Sequence, residues 1–159
     1  RLLGALTVGL SVCSSLELVI VGDGENRKQL QWLIRKLGLS GNVWMPGAGA
    51  ANRWLEHIDV YVLPQRAPGL VEIGDAIMAM RYGVPVLGPV GANLSDVVTP
   101  KTGALVEITD AEIVARQFLR LEQDPTLRRQ LGHEARLHAD TLTFERLLAD
   151  MSNVLSFSK

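Results

Sequence analysis

The sequence predicts an α/β fold, a doubly wound parallel sheet formed as one domain over residues 1–159. Two observations carry this expectation. Short β-rich runs alternate along the chain with stretches whose apolar residues have helical spacing. The runs themselves are almost continuously apolar, as strands of a parallel sheet covered on both faces are.

The elements follow in order. RLLGALTVGL reads as a helix already under way at Arg1. Leu16–Gly22 (LELVIVG) is a strand closed by Gly22-Asp23-Gly24. Leu30, Leu33, Ile34 and Leu37 give helical spacing over Glu25–Leu37, and Gly38 and Gly41 mark its end. Asn42–Met45 is a strand that stops at Pro46-Gly47, followed by a short helix over Ala51–His57. Asp59–Leu63 (DVYVL) is a strand ended by Pro64, and Ile73–Tyr82 is a helix leading through Gly83 to a strand at Val84–Leu87. Gly103–Val106 is the last strand. Thr109 and Glu112 have capping-box spacing ahead of a helix with Val114, Phe118 and Leu121 as its buried stripe. Asp124-Pro125 opens a helix to about His138, and Phe144, Leu147, Leu148, Met151 and Leu155 form the stripe of a final one.

A chain of this length buries a substantial core, and 47% hydrophobic against 21% charged residues is the balance of a globular α/β domain. The net charge of −1 gives no electrostatic basis for a nucleic-acid partner. Arg27, Lys28, Arg35 and Lys36 cluster locally and read as the solvated face of a helix. Cys13 stands alone, so no internal disulfide forms; its apolar setting suggests a small core residue in a reducing compartment. The apolar run Leu16–Val21 is interrupted by Glu17 and is far too short to span a bilayer, and no signal peptide is visible.

In a parallel sheet, ligands lie outside the carboxyl ends of the strands, and three loops at that edge have the chemistry to hold one. At Gly22-Asp23-Gly24-Glu25-Asn26 the glycines allow a phosphate or sugar to approach the backbone; a tight strand-to-helix turn asks for the same residues. A dinucleotide fingerprint needs a third glycine where Arg27 stands, which argues against a nicotinamide or flavin site. Met45-Pro46-Gly47-Ala48-Gly49-Ala50 would leave a flat slot for a planar base, or is simply a small-residue connection.

The third loop leads into the segment PQRAPGLVEIGDAIMAMRYGVPV, Pro64–Val86. Free backbone amides from Gly69 through Leu70 and Val71 to Glu72 open a helix there, and a helix N-terminus favours a diphosphate. Glu72 and Asp75 are one turn apart, so a carboxylate on that face is positioned to accept hydroxyl hydrogen bonds from a ribose or sugar, or to stabilise the helix start. Arg66 either pairs a phosphate or is an ordinary loop cation. His57, His133 and His138 have no metal-ligand spacing, His133 and His138 are expected on a solvent-facing helix surface, and Ser95 and Ser152 lack a nucleophile-elbow context. Trp32, Trp44 and Trp54 read as core or edge packing.

With these pieces placed, the chain resembles the C-terminal, nucleotide-sugar-binding domain of retaining GT-B glycosyltransferases of the group 1, family-four type, related to bacterial glycan and lipopolysaccharide transferases. LELVIVGDGENRKQLQWLIRKLGLSGNVWMPG is similar to that family's strand, GDG loop, helix and "NV-x-x-x-G" strand. IDVYVLP is similar to its "aDv-x-vlPS", AMRYGVPVLG to its "EAMA-x-G-x-PVv", and GANLSDVVTPKTGALVEITD to its "vGg…E-x-V…tG-x-Lv…d" run.

The family has two glutamates eight positions apart, the first on the donor sugar and the second on the nucleotide ribose; Leu70 and Met78 stand at those positions here. Gln65 stands where the family often has Ser or Thr. The resemblance implies the Rossmann-like half of a GT-B fold lacking its first strand, the Arg…Lys-Gly cations that follow that strand, and the N-terminal acceptor domain. It implies a UDP- or GDP-linked sugar as donor substrate, an unknown acceptor in glycan or lipopolysaccharide synthesis, no metal and no other cofactor. It also implies inactivity of this piece alone, and a cytoplasmic location with membrane association only through the missing part. Donor contacts would come from Gly22, Gly24, Met45, Pro46, Gly47, Arg66, Gly69, Leu70, Val71, Glu72 and Asp75. The other class of reading is a glycosyltransferase-like domain kept for binding or assembly.

Overall fold

Every strand pair among the described residues is parallel, as the alternation of strands and helices predicts. The structure is a computed structural model that describes residues 1–64, 68–91 and 94–142. Gln65, Arg66 and the helix expected from Phe144 lie outside the described residues. The elements are α1 (Leu2–Leu10), β1 (Leu18–Val21), α2 (Arg27–Lys36), β2 (Val43–Gly47), a single turn of 3₁₀ helix (Ala48–Ala50), α3 (Ala51–Leu55) and β3 (Tyr61–Val62). Then come α4 (Leu70–Arg81), β4 (Val86–Pro89), β5 (Gly103–Val106), α5 (Ala111–Gln123) and α6 (Pro125–Ala139).

The strands form two open sheets, β1-β2 and β3-β4-β5. In the first, the Leu18 amide donates to Asn42 O at 2.8 Å and the Gly22 amide to Gly47 O at 3.2 Å. In the second, the Tyr61 amide donates to Pro85 O at 3.0 Å and the Leu63 amide to Leu87 O at 2.9 Å. β4 is paired on both sides and buried along its whole length, whereas β1 and β3 are only half-buried and Val21 is exposed.

Side-chain alternation sends each strand's residues to opposite layers. Val86 and Leu105 pack with Ala76 and Met80 of α4 and Ala135 and Ala139 of α6. Leu87, Ala104 and Val106 pack on the other face with Val114 of α5 and Ala5 of α1. The same helix α1 sends Leu3 and Leu6 into a separate cluster with Ile34 of α2, beneath Leu18 and Ile20 of β1. The helices therefore cover both faces, with α1, α2 and α5 on one and α3, α4 and α6 on the other.

Local chemistry sets the helix starts. Asp124 accepts from the Leu127 amide at 2.8 Å, with Pro125 at the first helical position, as its sequence predicts. The cap of α5 is Asp110 rather than Thr109: its carboxylate accepts from the amides of Glu112 and Ile113 at 2.9 and 3.1 Å. Thr109 is instead taken by the Glu107 carboxylate. α4 begins at Leu70, three residues ahead of the periodicity, because Gly69 in an extended conformation lets the helix start directly after the loop. β4 lies two residues later than predicted, since Gly83 at positive φ and the turn to Val84 use up the start of that run. Cys13 falls beyond the end of α1, half-buried beside Ser15, and is not a core helix residue. Trp32 and Trp44 are exposed, Trp32 under the Lys36 ammonium at 4.8 Å, so neither packs in the core.

α6 crosses the turn after α4 with Gly132 against Gly83, and a Cβ on Gly132 would collide with the Gly83 carbonyl oxygen. Both partners are backbone, so neither yields by a rotamer change. Gly132→Ala is expected to destabilise the fold by about 2 kcal/mol, read as a lower denaturant midpoint; an unchanged midpoint would show that α6 shifts freely against that turn.

Candidate functional site

The carboxyl ends of β1 and β2 are tied together by one guanidinium. Arg27 donates to Asp23 Oδ1 at 2.7 Å, to Gly22 O at 3.3 Å and to Met45 O at 2.7 Å. Asp23 completes the link by accepting from the Ala48 amide through Oδ2 at 3.1 Å. The predicted solvated face therefore holds for Lys28, Arg35 and Lys36 but not for Arg27, whose planar fork serves three acceptors on two loops. The (i, i+4) spacing of Asp23 and Arg27 was the available signal for this pair.

The predicted site residues of these two loops are brought together by that link. Gly22 and Gly47 both adopt positive φ, 133° and 95°, and a Cβ on Gly47 would stand 3.0 Å from Asp23 Oδ2. Gly24 has open space around it and no positive φ, so its place in the turn is set by its carbonyl, which accepts from the Arg27 amide. Met45 directs its side chain into the cluster around Leu3 and Leu6 and presents only backbone to the loop. Pro46 is exposed.

The third predicted group is carried by α4. Gly69 is its N-cap, exposed and without a side-chain cap bond, so the first amides of the helix have no partner from capping. Glu72 folds back over this end: its Oε2 lies 3.0 Å from where a Gly69 Cβ would be. Val71, Asp75 and Met78 stand on one exposed stripe of the helix, with Val71 75% exposed. Met78, where the resembled family has its second glutamate, thus shares a face with Asp75. Leu70 opens the helix, and Arg66 lies outside the described residues.

Glu72, Asp75 and Met78 line a cavity of about 1020 Å³ that runs between β1 and β3 and reaches Gly22 and Ala48 at the carboxyl edge. The same two carboxylates act on Tyr61 of β3. Its phenol is pushed up to about 12, first by burial and then by the negative charge of Asp75 and Glu72, all three of which disfavour the phenolate. At the far side Arg128 of α6 joins Asp59 at 3.0 Å and donates to Leu121 O at 2.7 Å, which fixes the entry to β3. His138 is half-buried and its ring bonds Asp96 O at 2.8 Å; His133 is exposed as expected. No group of three or more His, Cys, Asp or Glu able to hold a metal occurs among the described residues, nor a helix long and apolar enough to cross a membrane.

The family model described as "Glycosyl transferases group 1" matches residues 11–138. A GDP-mannose-dependent monoacylated alpha-(1-6)-phosphatidylinositol monomannoside mannosyltransferase of Corynebacterium glutamicum is 26% identical over 148 residues, which cover 87% of this chain and 38% of that protein. The lipopolysaccharide core biosynthesis glycosyltransferase LpsE of Rhizobium meliloti is 32% identical over 123 residues, 74% of this chain and 35% of its own. The chain thus spans little more than a third of the length of these two relatives. Among solved structures, S. aureus TarM in complex with Fondaparinux, alpha-GlcNAc-glycerol and UDP superimposes with a TM-score of 0.81 at 21% identity, covering 96% of this chain and 31% of that one. Anabaena HepE in complex with UDP and glucose gives 0.78 at 21% identity over 98% of this chain and 43% of its own.

Two outcomes test this geometry. Arg27→Lys keeps the charge but cannot reach three acceptors, and it is expected to cost about 2 kcal/mol and to speed hydrogen exchange at the Ala48 amide; retained protection there would show that the loops hold without the guanidinium. Tyr61 supports the fold with its phenol neutral. Its folded pKa lies above the usual value near 10, so that contribution is whole below pH 10 and is lost as pH rises toward 12. In an absorbance titration Tyr61 is expected to ionise near 12, and earlier in Glu72→Gln/Asp75→Asn, though still above the ordinary value because burial remains. A titration unmoved by the double substitution would place the carboxylates away from the ring.

Proposed function

The chain belongs to the group 1 glycosyl transferases and has the Rossmann-like half of their GT-B fold, and on that premise we propose that it is the donor-binding part of an enzyme moving a sugar from a UDP- or GDP-sugar to an acceptor in glycan or lipopolysaccharide synthesis. The observation that carries this reading is the convergence on one cavity of the Gly22 turn, of Ala48 after β2 and of Val71 and Glu72 in the first turn of α4. Backbone edges of this kind take a nucleoside diphosphate, which offers a flat base, a diol and two phosphates.

Each group then has a role in this reading. The amides from Gly69 to Glu72 and the positive end of α4 stabilise the departing diphosphate, which is where negative charge grows as the glycosidic bond breaks. Asp75 takes the ribose hydroxyls, and the base lies against the backbone of Met45 to Gly47. The sugar is transferred with retention and without a metal, and the acceptor is brought by a separate domain, so this piece alone does not turn over. Among the described residues that line the cavity Arg128 is a cation, held by Asp59; in this reading Arg66 pairs a phosphate of the donor.

A second reading is a glycosyltransferase-like domain that binds without catalysing. Met78 favours it, since an exposed thioether stands on the cavity wall where the family carries a ribose-binding carboxylate. Calorimetric titration with UDP and with GDP separates the donor-site reading from a domain without a donor site. Binding of one of them is expected, and Asp75→Ala is expected to weaken it more than about tenfold. An unchanged affinity would remove Asp75 from the site, and no binding of either nucleotide would leave the chain without a donor site of its own.

A further inference from the structure

We propose that the outer face of α2 is a docking surface for a membrane that carries anionic lipid. Charge along the chain is segregated around this helix. The whole chain has a net charge of −1, yet Arg27, Lys28, Arg35, Lys36 and Arg53 lie between Glu25 and Glu56 with no carboxylate among them. α4, α5 and α6 each carry both signs of charge, whereas α2 carries cations alone. Helical geometry sorts the residues of α2. Leu30, Leu33 and Ile34 turn into the cluster with Leu3 and Leu6, and Lys28, Trp32, Arg35 and Lys36 project on the opposite side, all exposed. Arg27 stands apart from this face, because its guanidinium is bound to Asp23 and Met45. None of Lys28, Trp32, Arg35 and Lys36 lines the cavity between β1 and β3, so this surface is separate from the candidate donor site.

Two properties of the face say what it meets. Lys28, Arg35 and Lys36 form no ion pair among the described residues, so their charge is uncompensated. Trp32 stands among them with 54% of its surface exposed and the Lys36 ammonium 4.8 Å over its ring. An indole has an apolar body and one polar N–H, and the cations beside it have long aliphatic stems. That combination suits the boundary between headgroups and acyl chains. Acidic lipids of a fluid bilayer diffuse to the cations, which need not be ordered first. A partner protein with fixed carboxylates would have to immobilise flexible side chains that nothing in this chain holds. A nucleic acid would draw on a basic groove, and this surface is the convex side of one helix. Trp44 is as exposed as Trp32, but on the opposite face of β2, because its neighbours Val43 and Met45 pack in the cluster beneath α2.

The test is flotation of the whole 159-residue chain with vesicles of phosphatidylcholine alone and of equimolar phosphatidylglycerol and phosphatidylcholine. Binding to the anionic vesicles only is expected, weakening by at least about tenfold from low to high salt as the surface charge is screened. Lys28→Glu/Arg35→Glu/Lys36→Glu is expected to weaken it by more than about tenfold, with cooperative unfolding retained because these side chains are exposed. Lipids brominated near the headgroup are expected to quench tryptophan emission in the unaltered chain and in Trp44→Phe, and not in Trp32→Phe. The proposal is overturned if both vesicle compositions bind alike or neither binds, if charge reversal leaves binding intact in a folded chain, or if quenching persists in Trp32→Phe. Binding of the anionic vesicles without quenching of Trp32 would also overturn it, since the face would then be holding any polyanion rather than entering a bilayer.

Discussion

The two parts of the sheet are held in one frame by a helix rather than by a ladder between strands. α1 places Leu3 and Leu6 under β1 and β2 and Ala5 under β4 and β5, so a nine-residue helix carries the alignment of everything on either side. Burial of these side chains is favourable but non-directional. Ladder hydrogen bonds, by contrast, set register and spacing. The consequence is visible in the strands: β4, laddered on both sides, is buried throughout, while β1 and β3 each keep one edge at the cavity and stay half-buried.

The elements that could be read in the sequence are those whose limits are set by their own residues. Gly103–Val106 agrees residue for residue because a turn closes the strand on each side, and α6 starts where Asp124-Pro125 requires it to. The order of strands and helices, and the parallel class, follow from the same local periodicity. Limits set by tertiary contacts were harder to place. β3 contracts to Tyr61–Val62 because its pairing lasts only where β4 runs alongside, and Thr109 lost the α5 cap to Asp110 because the Glu107 carboxylate takes its hydroxyl.

The candidate site divides in the same way. Loops at the carboxyl edge, and Glu72 and Asp75 on one face of α4, were legible from spacing alone. Arg27 was legible only in part: its (i, i+4) spacing from Asp23 points to that pair, but nothing local points to its bond with Met45 eighteen residues away. Hydrophobic patterns by themselves did not show the break in the sheet, since they mark which strands exist but not whether neighbours in the final order are in contact.

These features together make the geometry of the site a property of the gap. The turns after β1 and β2 are locked to each other by Arg27 and Asp23, so they move as one piece. The N-terminus of α4 belongs to the other piece, fixed through Ala76 and Met80 to β3 and β4. A ligand touching both Gly47 and Gly69 therefore bridges two units whose separation is set by α1 packing and by whatever lies between β1 and β3. Non-directional packing tolerates displacement that a ladder does not, and a displacement of 1 Å at a binding or reacting centre is enough to lose about a hundredfold in rate. The width of the gap, more than the identity of any one side chain lining it, is then what decides whether the three backbone edges act as a single site.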